Sequence, residues 1–192
     1  DDESQFFLKY LAMQPEPGVG MVRTGDVDLP AVKLGNEILN GNERQLKAFR
    51  DLTGSDTAFL IVRDNKVYRL ATLLRDKDGK AMNGVPLPDG DPVAKALLAG
   101  QDYQGLAIRG GKYNFSTVKF LKSADGKPWL AYSVRISLDK EMKRIRDQFG
   151  KLVTGKTGYV YIVRPTDEKG IGEFVMHPKF QEQQIGQIDL PE

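Results

Sequence analysis

The residues best suited to chemistry lie between Lys66 and Val134. The stretch reads KVYRLATLLRDKDGKAMNG, then YQGLAIRGGKYNFSTVKFLKSADGKPWLAYSV. Arg, Lys, Tyr, Ser and Thr are interleaved with apolar positions, and Gly-marked turns separate the runs. Side chains at alternate strand positions share a face, so such runs can line a pocket for a small polar ligand. In VYRLAT the alternation predicts Tyr68, Leu70 and Thr72 on one face, with Arg69 and Ala71 on the other. In KYNFSTVKF it sets Tyr113, Phe115, Thr117 and Lys119 against Asn114, Ser116 and Val118. Arg69 is the most pointed of these. An unpaired charge buried on a central strand costs several kcal/mol, so its partner is either a protein carboxylate or an anionic ligand. A surface or salt-bridged arginine is the plainer reading.

Other chemistry finds little support. The sequence has no P-loop, GxSxG, HExxH or EF-hand pattern. The run from Asp76 to Gly79 resembles the start of a calcium loop, but no glutamate stands at position twelve, and a plain turn is the better reading. There is no cysteine, which excludes a disulfide framework, thiolate catalysis and thiolate metal sites. The single histidine, His177, excludes multi-histidine zinc sites. It could act as a base, but no nucleophile is placed beside it by the sequence, so a loop histidine without a catalytic role is favoured. No catalytic residue, metal ligand or cofactor is expected.

The 192 residues suit one domain, or one domain and part of another. Hydrophobic residues make up 40% and charged residues 28%, the balance of a soluble globular chain. The 28 basic and 26 acidic residues are mixed along the sequence, and no basic block suggests a nucleic-acid partner. No run approaches the roughly 18 apolar residues of a membrane span. The chain opens Asp-Asp-Glu without a signal peptide and reads as a piece of a longer protein.

Periodicity and turn residues supply the elements that must hold these side chains. A short helix is expected over residues 4–13, stopped by Pro15 and Pro17. Residues 18–25 read as a loop, and 26–39 as short strands or a hairpin around Gly35. Leu46, Phe49 and Leu52 recur at i, i+3, i+6, which predicts an amphipathic helix over 43–52. Strands at 57–63 and 67–74 flank the tight turn Asp64-Asn65-Lys66. A turn-rich segment fills 75–91. Asp91, Pro92 and Gly100 then bound a short helix over 92–99. Strands follow at 102–109, 112–121 and 128–136. A helix is expected over 137–152, with Leu138, Met142, Ile145, Phe149 and Leu152 as a packing stripe. Residues 157–164 and 173–176 read as further strands. Short connections make the strand neighbours antiparallel, so the expected class is α+β with a five-stranded sheet.

The order of these segments resembles a known family. VDLPAVKLGNEILNG, TGSDTAFLIVRDNKVYRLATLL, KDGKAMNG, DPVAKALLAG and YQGLAIRGGKYNFSTVKFLKSADGKP are similar to the extracytoplasmic Cache sensor domains of bacterial chemoreceptors and sensor kinases, in particular the fused tandem Cache modules. The later GKTGYVYIV and the His177-Pro178 pair look like the opening of the second module. The resemblance implies a PAS-like/Cache antiparallel five-stranded sheet flanked by helices. It implies a sensor domain over residues 1–152 and the start of a second, incomplete module over 153–192. It places the pocket between the sheet and the loops at 75–90 and 99–113. Arg69, Tyr113, Lys119, Tyr103, Ser116 and Lys80 are the expected ligand-binding residues; Arg69 and Tyr113 fit the family pattern, while Lys80, Ser116 and Lys119 depart from it. The implied function is capture of a small anionic or zwitterionic metabolite, an organic acid or amino acid, in the periplasm or outside the cell. The parent would be a membrane-anchored receptor of chemotaxis or two-component signalling, compatible with a homodimer. The competing readings are a ligand-free interaction or dimerisation domain and, more remotely, a hydrolase using His177.

Overall fold

Runs of β-branched and aromatic residues build the five-stranded sheet of the first unit. The computed structural model describes residues 3–109, 112–123, 126–149, 153–154, 158–159, 161–165 and 172–177. In chain order the elements are α1 (Glu3–Leu11), β1 (Glu16–Thr24), β2 (Val27–Leu34), β3 (Glu37–Ile38), α2 (Arg44–Thr53), β4 (Asp56–Arg63), β5 (Lys66–Thr72), α3 (Pro92–Leu98), β6 (Tyr103–Arg109), β7 (Lys112–Lys122), β8 (Pro128–Ser137) and α4 (Asp139–Phe149). The short strands β9 (Val153–Thr154), β10 (Gly158–Tyr159), β11 (Ile162–Pro165) and β12 (Gly172–Met176) complete the described elements. The chain divides into two units, Asp1–Leu138 and Asp139–Glu192.

The first unit is α+β. Its five-stranded sheet has the order β5-β4-β8-β7-β6, and every pairing is antiparallel. The β4–β5 hairpin turns on Asp64 (φ 49°) and Asn65 (φ 56°). Both residue types tolerate the left-handed region that such a turn needs. A separate three-stranded sheet, β1-β2-β3, lies before α2.

Alternation along the strands gives each face of the sheet its own core. On one face Phe59, Ile61, Leu130, Tyr132 and Val134 join Phe7 of α1 with Leu46 and Phe49 of α2. The other face carries Leu60, Val67, Ala131 and Val118, covered by Val93, Ala94 and Leu97 of α3. Residues two apart on one strand therefore serve one face, and neighbours in sequence serve opposite faces.

Several elements differ from the sequence expectation. Residues 18–24 are not a loop; they belong to β1, and Gly25 opens the turn to β2. Its own residues are mostly exposed, and a bulge between Pro17 and Met21 interrupts its register with β2. Pairing with β2 makes it a strand, not any hydrophobic pattern of its own. In α2, Leu46 and Phe49 are buried but Leu52 is 64% exposed. Steps of three residues fall short of the 3.6-residue turn, so the third position rotates off the stripe. α4 buries no residue, so the part of its apolar stripe among the described residues is not core; Gly150, Lys151 and Leu152 lie outside the described residues. The single strand expected over 157–164 is two: β10 pairs with β9, and β11 pairs with β12, with Thr157 and Val160 outside the described residues.

A partly exposed ionic cluster ties the segment after β5 to α2. Glu43, 13% exposed at its side chain, meets Arg75 Nη2 at 2.6 Å and Lys47 Nζ at 3.0 Å. Burial pushes its carboxyl up, but hydrogen bonds from Arg75 and Lys47 outweigh that and hold it below the ordinary 4.5. A carboxyl depressed in the folded state stabilises above its unfolded pKa, and that stabilisation is lost as pH falls through the folded value. Stability should therefore drop on acidification below roughly pH 4.5, and Glu43→Gln should flatten part of that slope. Thermal melts of both proteins across the acid range check it. Superimposable pH profiles would remove Glu43 from the account.

Candidate functional site

The second face of the sheet carries an unusual density of buried charge. Arg69 on β5 and Arg135 on β8 are each 5% exposed. Arg109 at the end of β6 has a side chain only 8% exposed. Together with Thr72, Ser116 and Ser133 they line one cavity, closed above by Leu87 and Val93. The cavity encloses about 10 Å³ for the centre of a water-sized sphere, the room of a single water molecule. A wider recess of about 480 Å³ adjoins it, sharing Arg69 and Arg109 and bounded by Arg75, Lys77, Met82 and Pro88.

Strand register explains the grouping. Ser116 stands opposite Arg135, Arg135 opposite Asp56, and Ser133 opposite Ala58, which in turn faces Thr72. Simple alternation would put Thr72 on the face away from Arg69. A bulge removes that separation: Phe59 pairs with Ala71 and Leu60 with Arg69, so Leu70 is the extra residue. Leu70 and Ala71 both enter the first core, and Arg69 and Thr72 both reach the cavity. The expectation that Thr72 sides with Tyr68 is corrected accordingly.

The roof is stitched to β5. Arg69 donates from Nη1 to the carbonyls of Val85 (3.1 Å) and Pro86 (2.7 Å). Its backbone N–H donates to Val85 O, Gly84 N–H donates to Arg69 O, and Leu87 N–H donates to Val67 O. Asn83 Oδ1 accepts from Thr72 N–H at 2.8 Å. Gly84 sits at φ 78°, and a Cβ there would lie 1.9 Å from Thr24 O, so only glycine fits this approach.

Asp91 organises the far side. Its Oδ1 caps α3 by accepting from Val93 N–H (2.9 Å) and Ala94 N–H (3.3 Å). The same carboxylate holds Arg109 in a two-point ion pair, at 2.6 and 3.2 Å. No carboxylate among the described residues lies within ion-pair distance of Arg69. Burial above all, with the Arg109 charge second, pushes the Arg69 guanidinium down to about 10, against the pull of Asp91. Burial does the same to Arg135, also to about 10; Asp56 opposes it while Arg109 and Arg69 add to it. Both shifts come first from burial, and the neighbouring guanidinium charges add to it.

Of the residues singled out from sequence, Arg69 and Ser116 meet in this cavity. Tyr103 lies on the same sheet face opposite Val118, outside the lining; its hydroxyl donates to Leu106 O at 2.6 Å. Tyr113 and Lys119 stand at odd positions of β7, across the sheet from Ser116, and Tyr113 is buried there. Lys80 is exposed and pairs with Asp26 at 3.1 Å. Arg135 and Arg109 were not singled out. Both follow apolar residues in strand runs, at the parity that Ala131, Ser133 and Ala107 mark as buried.

The remaining candidates serve structure. Asp76 Oδ1 accepts from the N–H groups of Asp78 and Lys80, closing a turn. In the second unit His177 is buried against Phe174 (4.6 Å between ring centres), and its Nε2 lies 3.1 Å from the Tyr159 hydroxyl. No group of three His, Asp or Glu side chains among the described residues is arranged for a metal.

An antiparallel sheet of this strand order, with helices on both faces and a polar recess on one, is the PAS-like fold. Residues 20–190 match the family described as the Cache 3/Cache 2 fusion domain, and the chain belongs to that family. No curated protein matches the chain. Cache domains are sensory modules that generally bind small ligands and are typically extracytoplasmic. No helix among the described residues is long and apolar enough to cross a membrane.

Proposed function

We propose that the first unit captures a small anionic or zwitterionic metabolite, an organic acid or amino acid, in the arginine-lined recess and reports it to a membrane-anchored receptor. The observation that carries this reading is Arg69: a guanidinium 5% exposed, held by two backbone carbonyls and lacking a carboxylate partner among the described residues. An anion there would restore the charge balance that burial denies. The parent would act outside the cytoplasmic membrane, in chemotaxis or two-component signalling. The ligand shifts such a receptor only by binding its two states with different affinity. The segment at 153–192 is read as the start of a second module. Its β11–β12 pair lies outside the five-stranded sheet, which supports that division. A ligand-free interaction domain is the second reading, and heat stabilisation by a metabolite separates the two.

Arg69→Ala should weaken binding of the metabolite found in a thermal-shift screen by about ten- to a hundredfold, since charge-assisted hydrogen bonds are worth roughly 1.5–3 kcal/mol. Calorimetric titration of wild type and variant measures it. Unchanged affinity in a folded Arg69→Ala protein would take Arg69 out of the site. That metabolite at about 100 times its dissociation constant should stabilise the wild type by roughly 2.7 kcal/mol.

A further inference from the structure

Two donors in the inner cavity have no acceptor. Arg135 Nη2 and Ser116 Oγ are buried, and neither has a hydrogen-bond partner among the described residues. Arg135 is 5% exposed and Ser116 1% exposed, and the two are cross-strand neighbours that line the same cavity. Asp56, opposite Arg135 on β4, does not answer the need. Its Oδ1 has no hydrogen-bond partner and lies 3.8 Å from Arg50, and its side chain is 40% exposed. Asp91, the other carboxylate of the site, is spent on Arg109 and the cap of α3. Buried donors left without acceptors are costly, more so when charged.

We propose that the inner cavity seats one oxygen of a ligand carboxylate, accepting from Arg135 Nη2 and Ser116 Oγ, while the body of that ligand occupies the adjoining recess. This rests on the sensor reading above and adds to it the atoms that take the carboxylate. Three observations fix the class. The cavity has room for one water-sized atom, so a head-group oxygen fits and a whole metabolite does not. Arg69, Arg109 and Arg135 line the cavity and no carboxylate does; Asp91 pairs with Arg109, which leaves positive charge for a ligand carboxylate to neutralise. The recess of about 480 Å³ meets the cavity at Arg69 and Arg109, which would flank the second oxygen and the atoms behind it.

Formate, acetate, propionate and lactate, each with its amide, are the probes, titrated by calorimetry at constant ionic strength with sodium chloride as the control anion. At least one carboxylate should bind, and its amide should not. Ser116→Ala, which removes one hydroxyl and little volume, should weaken that carboxylate about fivefold. Arg135→Met should weaken it about a hundredfold or more. The empty Arg135→Met protein should melt no lower than wild type, because an unbalanced buried charge is replaced by an apolar chain. A purely structural Arg135 would show the reverse, with lower melting and unchanged affinity. If a carboxylate binds wild type and both variants alike, the subsite is wrong and the sensor reading stands. If chloride stabilises as well as any carboxylate, the subsite is wrong. If no carboxylate binds, it is also wrong; a wider metabolite library then decides the sensor reading, which survives on any hit and falls with none.

Discussion

Asp91→Ala should lower the melting temperature by roughly 9–20 °C, from a loss of about 3–5 kcal/mol at roughly 3–4 °C per kcal/mol. Three groups donate to that carboxylate, through four hydrogen bonds. Two are the amide caps of α3, whose loss costs about 1 kcal/mol. The third is the two-point pair with Arg109, whose side chain is 8% exposed. Without Asp91 that guanidinium stays buried beside Arg69, which already lacks a carboxylate among the described residues. Asp91→Asn separates the contributions, because asparagine caps a helix about as well but carries no charge. It should recover the capping part and leave the larger ionic loss. Melting curves of the three proteins at neutral pH decide the point. A drop of less than about 3 °C for Asp91→Ala would mean that solvent reaches Arg109 freely.

Phe7→Ala should cost about 3–5 kcal/mol. Phe7 is fully buried, with ring centres 4.9 Å from Phe49, 5.6 Å from Phe59 and 6.2 Å from Tyr132. It thus joins α1, α2 and the central strands in one core, and its removal leaves a cavity between three aromatic rings. Phe6, one residue earlier and 45% exposed, is the internal control. Phe6→Ala should change stability by less than about 1 kcal/mol. Denaturant titrations report both. Equal effects from the two substitutions would mean that α1 does not insert Phe7 into the sheet.

The central sheet was legible because its signals are local. Asp64-Asn65 permits only a tight turn, Asp91-Pro92 starts a helix, and Gly100 follows its end. β1 was not legible: Pro17, Gly18 and Gly20 weaken its pattern, and its strand state comes from β2. The bulge at Leu70 was hidden too, since nothing in Arg-Leu-Ala-Thr announces an extra residue. That one residue decides whether Thr72 joins Arg69. The site was half legible. Parity along β7 already separates Ser116 from Tyr113 and Lys119, and applied to β8 it would have buried Arg135 with Ser133. What sequence could not supply was the partner list. Lys80 finds Asp26 and Glu43 finds Arg75 only through long-range folding.

The backbone stitching between Val67, Arg69 and the segment from Gly84 to Leu87 also bears on self-association. An outermost strand normally offers free N–H and C=O groups to any passing chain. Here β5 has those groups occupied by its own roof. Within the five-stranded sheet, β6 is therefore the edge left open among the described residues, and it carries the exposed Gln104 and Leu106. A strand-to-strand dimer or an aggregate of the first unit would have to grow from β6, the strand that ends in Arg109. Crowding on that edge would press from outside on the recess that Arg109 lines.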